Sequence, residues 1–368
     1  MAGLGDTIAG LAALKKKRDE AIANMAEPFR LTLVAPLGRN PGELRMLTYV
    51  PPGLPPGSPL VVVLHGCSQN AAAYDHGSGW STLAERHGFA LLFPEQQRSN
   101  NPSLCFNWFQ LDDVAAGVGE VESIRQMTLQ MIEAHGIDRR RVYVTGLSAG
   151  GAMTAAMLAT SPDLFAGGAV IAGLPYGAAD GMMEAFSAMN QVKRRTPHEW
   201  GELVRRSRGH QGDWPAVQVW QGTSDDTVHP GNAAQLVAQW TNVLGLPDTP
   251  DATEVLDGAT HEIWRRGGRA VLERWTVPGL KHGTPIVVGG DDADHAVGAA
   301  GPYMLAGDIA STWHLAHAWG LLTQAARPSV VRPPVASVLA ALPKALPKAL
   351  PKAGELIEKA MKAAGLLK

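Results

Sequence analysis

The stretch Tyr143-Val144-Thr145-Gly146-Leu147-Ser148-Ala149-Gly150-Gly151 decides how the rest of the chain is read. A short apolar run (141–145) enters it, a Gly-x-Ser-x-Gly pentapeptide bends it, and an alanine- and methionine-rich helical stretch (151–159) leaves it. This layout sets a serine on a sharp strand-to-helix turn with its hydroxyl presented at the end of a sheet. Gly146 and Gly150 suit the bend because positions without a side chain let backbone pack closely around it. In a chain with 41 glycines, three fixed positions are a weak signal. A base, an acid and an oxyanion-binding loop must be found elsewhere.

Upstream, the β-branched run 59–64 reads as a strand buried on both faces, and it ends in His65-Gly66-Cys67-Ser68-Gln69. Before it, 29–35 and 43–50 read as antiparallel edge strands joined by Gly38-Arg39-Asn40-Pro41-Gly42. After it come a helical stretch (81–87), an apolar strand (89–93) and a helical pattern over 113–135, with Val121, Ile124, Met127 and Met131 on one side. Downstream of the serine, 166–172 and 216–220 read as strands, and 181–209 as a long, polar and basic helical region. A helix over 232–244 is followed by two strand segments, 253–266 and 270–277, with Gly267-Gly268 as a hairpin turn between them. Buried strands alternating with helices imply an α/β fold: a mostly parallel sheet with helices on both faces. One such sheet accounts for the chain to about residue 325.

A serine hydroxyl is a poor nucleophile until a base takes its proton. In a sheet of this kind acid and base follow the serine in the order Ser, Asp, His, each after a strand. Gly222-Thr223-Ser224-Asp225-Asp226-Thr227-Val228 offers a carboxylate after the strand 216–220. Asp225 and Asp226 are adjacent, so only one of them faces the histidine and the other points to solvent. Pro278-Gly279-Leu280-Lys281-His282-Gly283 offers an imidazole after the strand 270–277. His282 stands out among twelve histidines by this position. His314 and His317, three apart on a helical stretch, match a closed metal site poorly and read as structural. No metal or cofactor is called for.

The oxyanion hole expected here pairs the amide after the nucleophile, Ala149, with one from the loop after the strand 59–64. The Cys67 amide is the expected second donor, and the His65 side chain is expected to brace the loop. The two cysteines, Cys67 and Cys105, read either as buried thiols or as a pair. A bridge between them would close a loop of about 38 residues, worth roughly 4 kcal/mol in the chain-entropy picture.

The composition, 45% hydrophobic and 18% charged with a net charge of −2, fits a globular protein and gives no electrostatic case for nucleic acid. No apolar run approaches the roughly 18–20 residues of a membrane span. Residues 1–27 read as an amphipathic N-terminal arm whose apolar stretch precedes Lys15-Lys16-Lys17-Arg18, the reverse of a secretory signal. Residues 328–353 carry three Ala-Leu-Pro-Lys repeats and read as a semi-rigid linker. Residues 354–368 read as a basic amphipathic helix, either docked on its own domain or adhesive to an apolar or anionic surface.

Taken together, the motifs resemble those of the poly(3-hydroxybutyrate) depolymerase family of α/β-hydrolase esterases, which includes feruloyl and acetylxylan esterases. The matching stretches are Leu64-His65-Gly66-Cys67-Ser68-Gln69, Tyr74-Asp75-His76-Gly77-Ser78-Gly79-Trp80, Phe93-Pro94-Glu95-Gln96, Cys105-Phe106-Asn107-Trp108-Phe109, Gly146-Leu147-Ser148-Ala149-Gly150-Gly151 and His282-Gly283-Thr284-Pro285. The resemblance implies a catalytic domain over 28–327, with Ser148 as nucleophile, Asp225 as the acid and His282 as the base. It also implies a Cys67–Cys105 disulfide. The expected activity is serine carboxylic-ester hydrolysis through an acyl-enzyme on a short-chain polyhydroxyalkanoate or its oligomers, with a hydrophobic polyester surface as partner. A feruloyl- or acetyl-polysaccharide esterase is the alternative within the class. A granule- or surface-associated binding protein working through its C-terminal tail is the alternative outside it. Trp108 and Trp313 are candidates for the wall of an acyl pocket. The resemblance implies an extracellular enzyme, whereas the N-terminus, without a classical signal, points to the cytoplasm.

Overall fold

In the computed structural model, residues 30–289 and 294–322 are described. The expected N-terminal arm (1–27), proline-lysine linker (328–353) and C-terminal helix (354–368) lie outside them.

Ten strands form one sheet in the order β1-β2-β4-β3-β5-β6-β7-β10-β9-β8. They are β1 (Thr32–Val34), β2 (Arg45–Tyr49), β3 (Leu60–Leu64), β4 (Ala90–Glu95), β5 (Val142–Leu147), β6 (Gly167–Ile171), β7 (Ala216–Gly222), β8 (Ala252–Leu256), β9 (Ala259–Arg266) and β10 (Arg269–Val277). The six strands from β4 to β10 run parallel, and antiparallel pairs close both edges.

The strand sequences show why both faces are covered. In β3, Leu60, Val62 and Leu64 join one hydrophobic core, while Val61 and Val63 join the other. Successive side chains point to opposite faces, so an unbroken apolar strand needs packing on both. On the first face lie α4 (Gly119–His135), α5 (Ala149–Thr160), α7 (Pro197–Arg208) and α8 (Gly231–Leu244). On the second lie α1 (Ala71–Ser78), α2 (Trp80–His87) and α9 (Ser311–Ala318). Every residue of α5 is buried, which explains why its sequence is apolar all round rather than striped. Two more helices, α3 (Leu111–Val114) and α6 (Met182–Gln191), complete the named set, with a small parallel pair, β11 (Thr284–Ile286) and β12 (Met304–Ala306).

Local chemistry revises four sequence expectations. The strand expected over 253–266 is two strands, β8 and β9, turned at Asp257 (φ 49°) and Gly258 (φ 77°). Asp-Gly favours such a turn because both central residues need positive φ. The Gly267-Gly268 hairpin forms where expected, with φ 56° and 80°. The helix expected over 113–135 is broken between α3 and α4, where Gly117 and Gly119 both take positive φ. The region 181–209 divides into α6 and α7, the latter opened by a capping box in which Thr196 and Glu199 satisfy each other's backbone amides. Helix α1 was not expected, although Asn70 caps it through a 2.8 Å bond to the Ala73 amide and Gly79 ends it in the left-handed conformation.

The chain order positions the site. From β3 it moves to β4 on one side, then crosses to β5 on the other. The carboxyl ends of β3 and β5 therefore flank a topological switch point, the place where an open α/β sheet offers a crevice.

Candidate active site

Ser148 sits at that crevice, between β5 and α5. Its backbone is at φ 58°, ψ −117°, a region unfavourable for a residue with a side chain and costing about 1–3 kcal/mol. The surroundings hold it there: its amide donates to the Ile171 carbonyl at 2.9 Å. A Cβ on Gly146 would lie 2.4 Å from the Gly150 carbonyl oxygen, and one on Gly150 would lie 2.4 Å from that of Leu64. Both glycines are there because the bend presses α5 against β5 and β3.

The loop after β3 is fixed from several sides. His65 Nε2 accepts the Gln96 amide at 3.1 Å, which leaves Nδ1–H to donate to the Gly66 carbonyl at 2.8 Å. Burial pushes the His65 pKa down and favours this neutral form, although its contact with Gly66 and the charge of Glu95 work the other way. Gln69 bridges outward: its Oε1 accepts the Gly66 amide at 2.8 Å and its Nε2 donates to the Pro302 carbonyl at 3.3 Å. Cys67 and Cys105 form a disulfide. The amides of Gly66, Ser68 and Gln69 are all taken by protein acceptors. Among the described residues no protein acceptor takes the Cys67 amide or that of Ala149 at the start of α5.

Acid and base loops are tied together before their side chains meet. Thr223 donates its amide to the Val277 carbonyl and Ser224 to that of Leu280, both at 3.0 Å. Gly279 donates its amide to Thr223 Oγ1 at 2.8 Å. A Cβ on Gly222 would lie 2.2 Å from the Leu280 carbonyl oxygen. These contacts place His282 Nδ1 2.8 Å from Asp225 Oδ2. Asp225 also accepts Gln221 Nε2 at 3.0 Å on Oδ2, and the Thr227 and Val228 amides at 2.9 Å each on Oδ1. Burial alone would raise its pKa. The His282 contact and charge, with the two backbone amides, outweigh burial and hold the carboxyl below its ordinary range. An ionised carboxylate only accepts, so His282 donates from Nδ1, and in the neutral ring this leaves Nε2 as the acceptor. Asp226 is exposed.

Ser148 and His282 line one cavity with Cys67 and Gln69 from the β3 loop. Met189 and Tyr303 also line it, and neither was expected from the sequence. Tyr303 meets the His282 ring edge-on at 6.0 Å and holds φ 63°. Trp108 and Trp313 are not among the lining residues. Trp108 is buried edge-to-face against Phe109 in the core of the first face. Trp313 lies on α9, stacked on His317 at 5.2 Å. His314 reaches Asp257 at 3.1 Å and packs against Trp275. Among the described residues there is no group of three or more His, Cys, Asp or Glu able to hold a metal ion, and no helix long and apolar enough to cross a membrane.

Comparison with known proteins places the chain among esterases. Residues 44–263 match the family described as esterase PHB depolymerase. The chain is 44% identical to poly(3-hydroxyalkanoate) depolymerase C of Paucimonas lemoignei over 80% of its own length and 71% of the relative's. It is 34% identical to feruloyl esterase B of Talaromyces stipitatus, covering 70% and 73% respectively. An acetyl xylan esterase structure from Aspergillus awamori superposes with a TM-score of 0.63 at 29% identity, over 68% of this chain and 93% of that one.

Proposed function

Because the chain belongs to the esterase PHB depolymerase family, we propose that Ser148, His282 and Asp225 hydrolyse the ester bonds of a short-chain polyhydroxyalkanoate or its oligomers. The chain is a serine carboxylic-ester hydrolase of α/β-hydrolase fold. Ser148 Oγ attacks the ester carbonyl carbon and its proton passes to His282 Nε2. The carbonyl oxygen becomes an oxyanion held by the Cys67 and Ala149 amides, each donor of this kind being worth about 100- to 1000-fold in turnover. Collapse breaks the bond to the leaving alcohol, which takes the proton from His282 and leaves the acyl group on Ser148. Water then adds to the acyl carbon and gives a proton to His282, which returns it to Ser148 as the acid departs. Asp225 stabilises the imidazolium in both halves.

The observation that carries this reading is the 2.8 Å contact between His282 Nδ1 and Asp225 Oδ2, in a histidine that shares its cavity with Ser148. The substrate class is supported by the 44% identical depolymerase. It is supported also by a mixed wall, with Ser68 and Ser103 beside Met189 and Tyr303, suited to a chain that alternates ester groups with aliphatic carbon. Clearing of a poly(3-hydroxybutyrate) suspension, run beside hydrolysis of a feruloyl ester, tests it. Activity on the feruloyl ester alone would overturn the polyester reading.

The Cys67–Cys105 bridge supports an extracellular location, because disulfides persist in oxidising compartments. Esterase activity confined to the lysate of the producing cells, with none in the medium, would contradict it.

A further inference from the structure

One helix face connects the cavity to the surface. On α6, Met182, Phe186 and Met189 stand at i, i+4 and i+7 and share one side. Met182 at the outer end is 40% exposed, Phe186 and Met189 are both partly buried, and Met189 lines the cavity with Ser148 and His282. Met183, 64% exposed, widens the outer end. Ala185 and Ala188 form the buried side. Charge is kept away: Glu184, two residues from Met182 and so on another side, pairs with Lys193 at 2.8 Å. Both ends of the helix are anchored. The Gly181 amide donates to the Phe109 carbonyl at 2.6 Å, and the His229 amide donates to that of Met189 at 2.8 Å.

We propose that this stripe is the track for the polyester chain flanking the scissile ester. The inference rests on the polyester reading above. The acyl unit under attack lies beside Met189, and the next repeats of the same chain lie over Phe186 and Met182. Three observations select this occupant. The stripe is continuous with the cavity wall, it carries no charge, and it runs about 10 Å at helical rise, longer than one short hydroxyacyl repeat. Thioethers and a ring accept aliphatic repeats without needing a fixed shape or a hydrogen-bond donor, as suits a chain presented in many conformations. A small soluble ester fills only the inner end.

The test compares rates on amorphous poly(3-hydroxybutyrate) and on p-nitrophenyl butyrate for the full chain carrying Met182→Gln, Phe186→Ser or both. The polymer-to-soluble ratio should fall about ten-fold or more in the double variant. Met182→Gln, a change at the surface that leaves the packed side of α6 intact, should show part of that fall. Val255→Gln on edge strand β8, where Val255 is 75% exposed, controls for apolar surface in general and should keep the ratio. An unchanged ratio in Met182→Gln and the double variant, or an equal fall in Val255→Gln, overturns the track. A wild-type chain that cleaves feruloyl esters and not the polymer overturns the polyester reading itself, and takes the track with it before any variant is compared.

Discussion

Ser68 donates its amide to the Ser103 carbonyl at 2.7 Å, next to the bridge joining Cys67 to Cys105. The segment that carries the Cys67 amide is thus clamped to the 101–105 loop by one covalent and one hydrogen-bonded contact. Ser68 (φ 63°) and Leu104 (φ 55°), the residues next to the two cysteines, are both held at positive φ. Replacing Cys67 and Cys105 by serine should cost up to about 4 kcal/mol of stability, read as a lower denaturant midpoint. It should also lower kcat more than it raises KM, because the affected amide is the one proposed to hold the oxyanion rather than the bound ester. A loss confined to KM would contradict this role for the loop.

Gly222→Ala places a methyl group 2.2 Å from the Leu280 carbonyl oxygen, backbone that cannot step aside cheaply. The expected cost is about 1–3 kcal/mol in stability, with a fall in kcat because the Asp225 and His282 loops are forced apart. Thermal unfolding and steady-state kinetics check both effects. A fully active, equally stable variant would show that the two loops are not held by this contact.

His65→Ala leaves the buried Gln96 amide without its acceptor, at about 1–3 kcal/mol, and takes one of two donors from the Gly66 carbonyl, which keeps the Gln69 amide at 3.3 Å. His65→Gln, which can donate and accept, should recover part of the loss. Neither change should move the acid limb of the pH–rate profile, since burial keeps His65 neutral. A displaced limb would mean that His65 takes part in proton transfer.

Two buried carboxyls give opposite pH dependences. Asp225 has a folded pKa below its unfolded value of about 3.9, so its contribution to stability is present above that value and is lost as the pH falls. Glu120 is pushed up to about 8, first by burial and then by the charge of Asp113, from an ordinary 4.5. Between those values the folded chain binds the extra proton, so this contribution is greatest below 4.5 and declines as the pH rises towards 8. Asp113→Asn removes the second cause and should flatten the decline between pH 5 and pH 8, measured by chemical denaturation. Equal slopes in wild type and variant would contradict the assignment.

The strand-turn-helix at Ser148, the buried strand before His65 and the order of Asp225 and His282 were legible in sequence because each depends on a local pattern. The second wall of the cavity was not. Met189 and Tyr303 arrive from α6 and from the turn before β12, far from Ser148 in the chain, and nothing local marks a methionine or a tyrosine as lining a cleft. Aromatic character alone does not place Trp108 or Trp313 on the cavity wall. Their positions depend on packing that composition does not encode. The turn at Asp257-Gly258 did carry a local signal, hidden by the β-branched residues on either side of it.

Active-site labelling distinguishes Ser148 as the nucleophile from every other serine in the chain. A serine-directed alkyl phosphonate should abolish activity and add a single adduct mass, mapped by peptide sequencing to Ser148, and Ser148→Ala should neither react nor hydrolyse esters. An adduct on any other residue, or persistent hydrolysis by Ser148→Ala, would rule Ser148 out as the nucleophile.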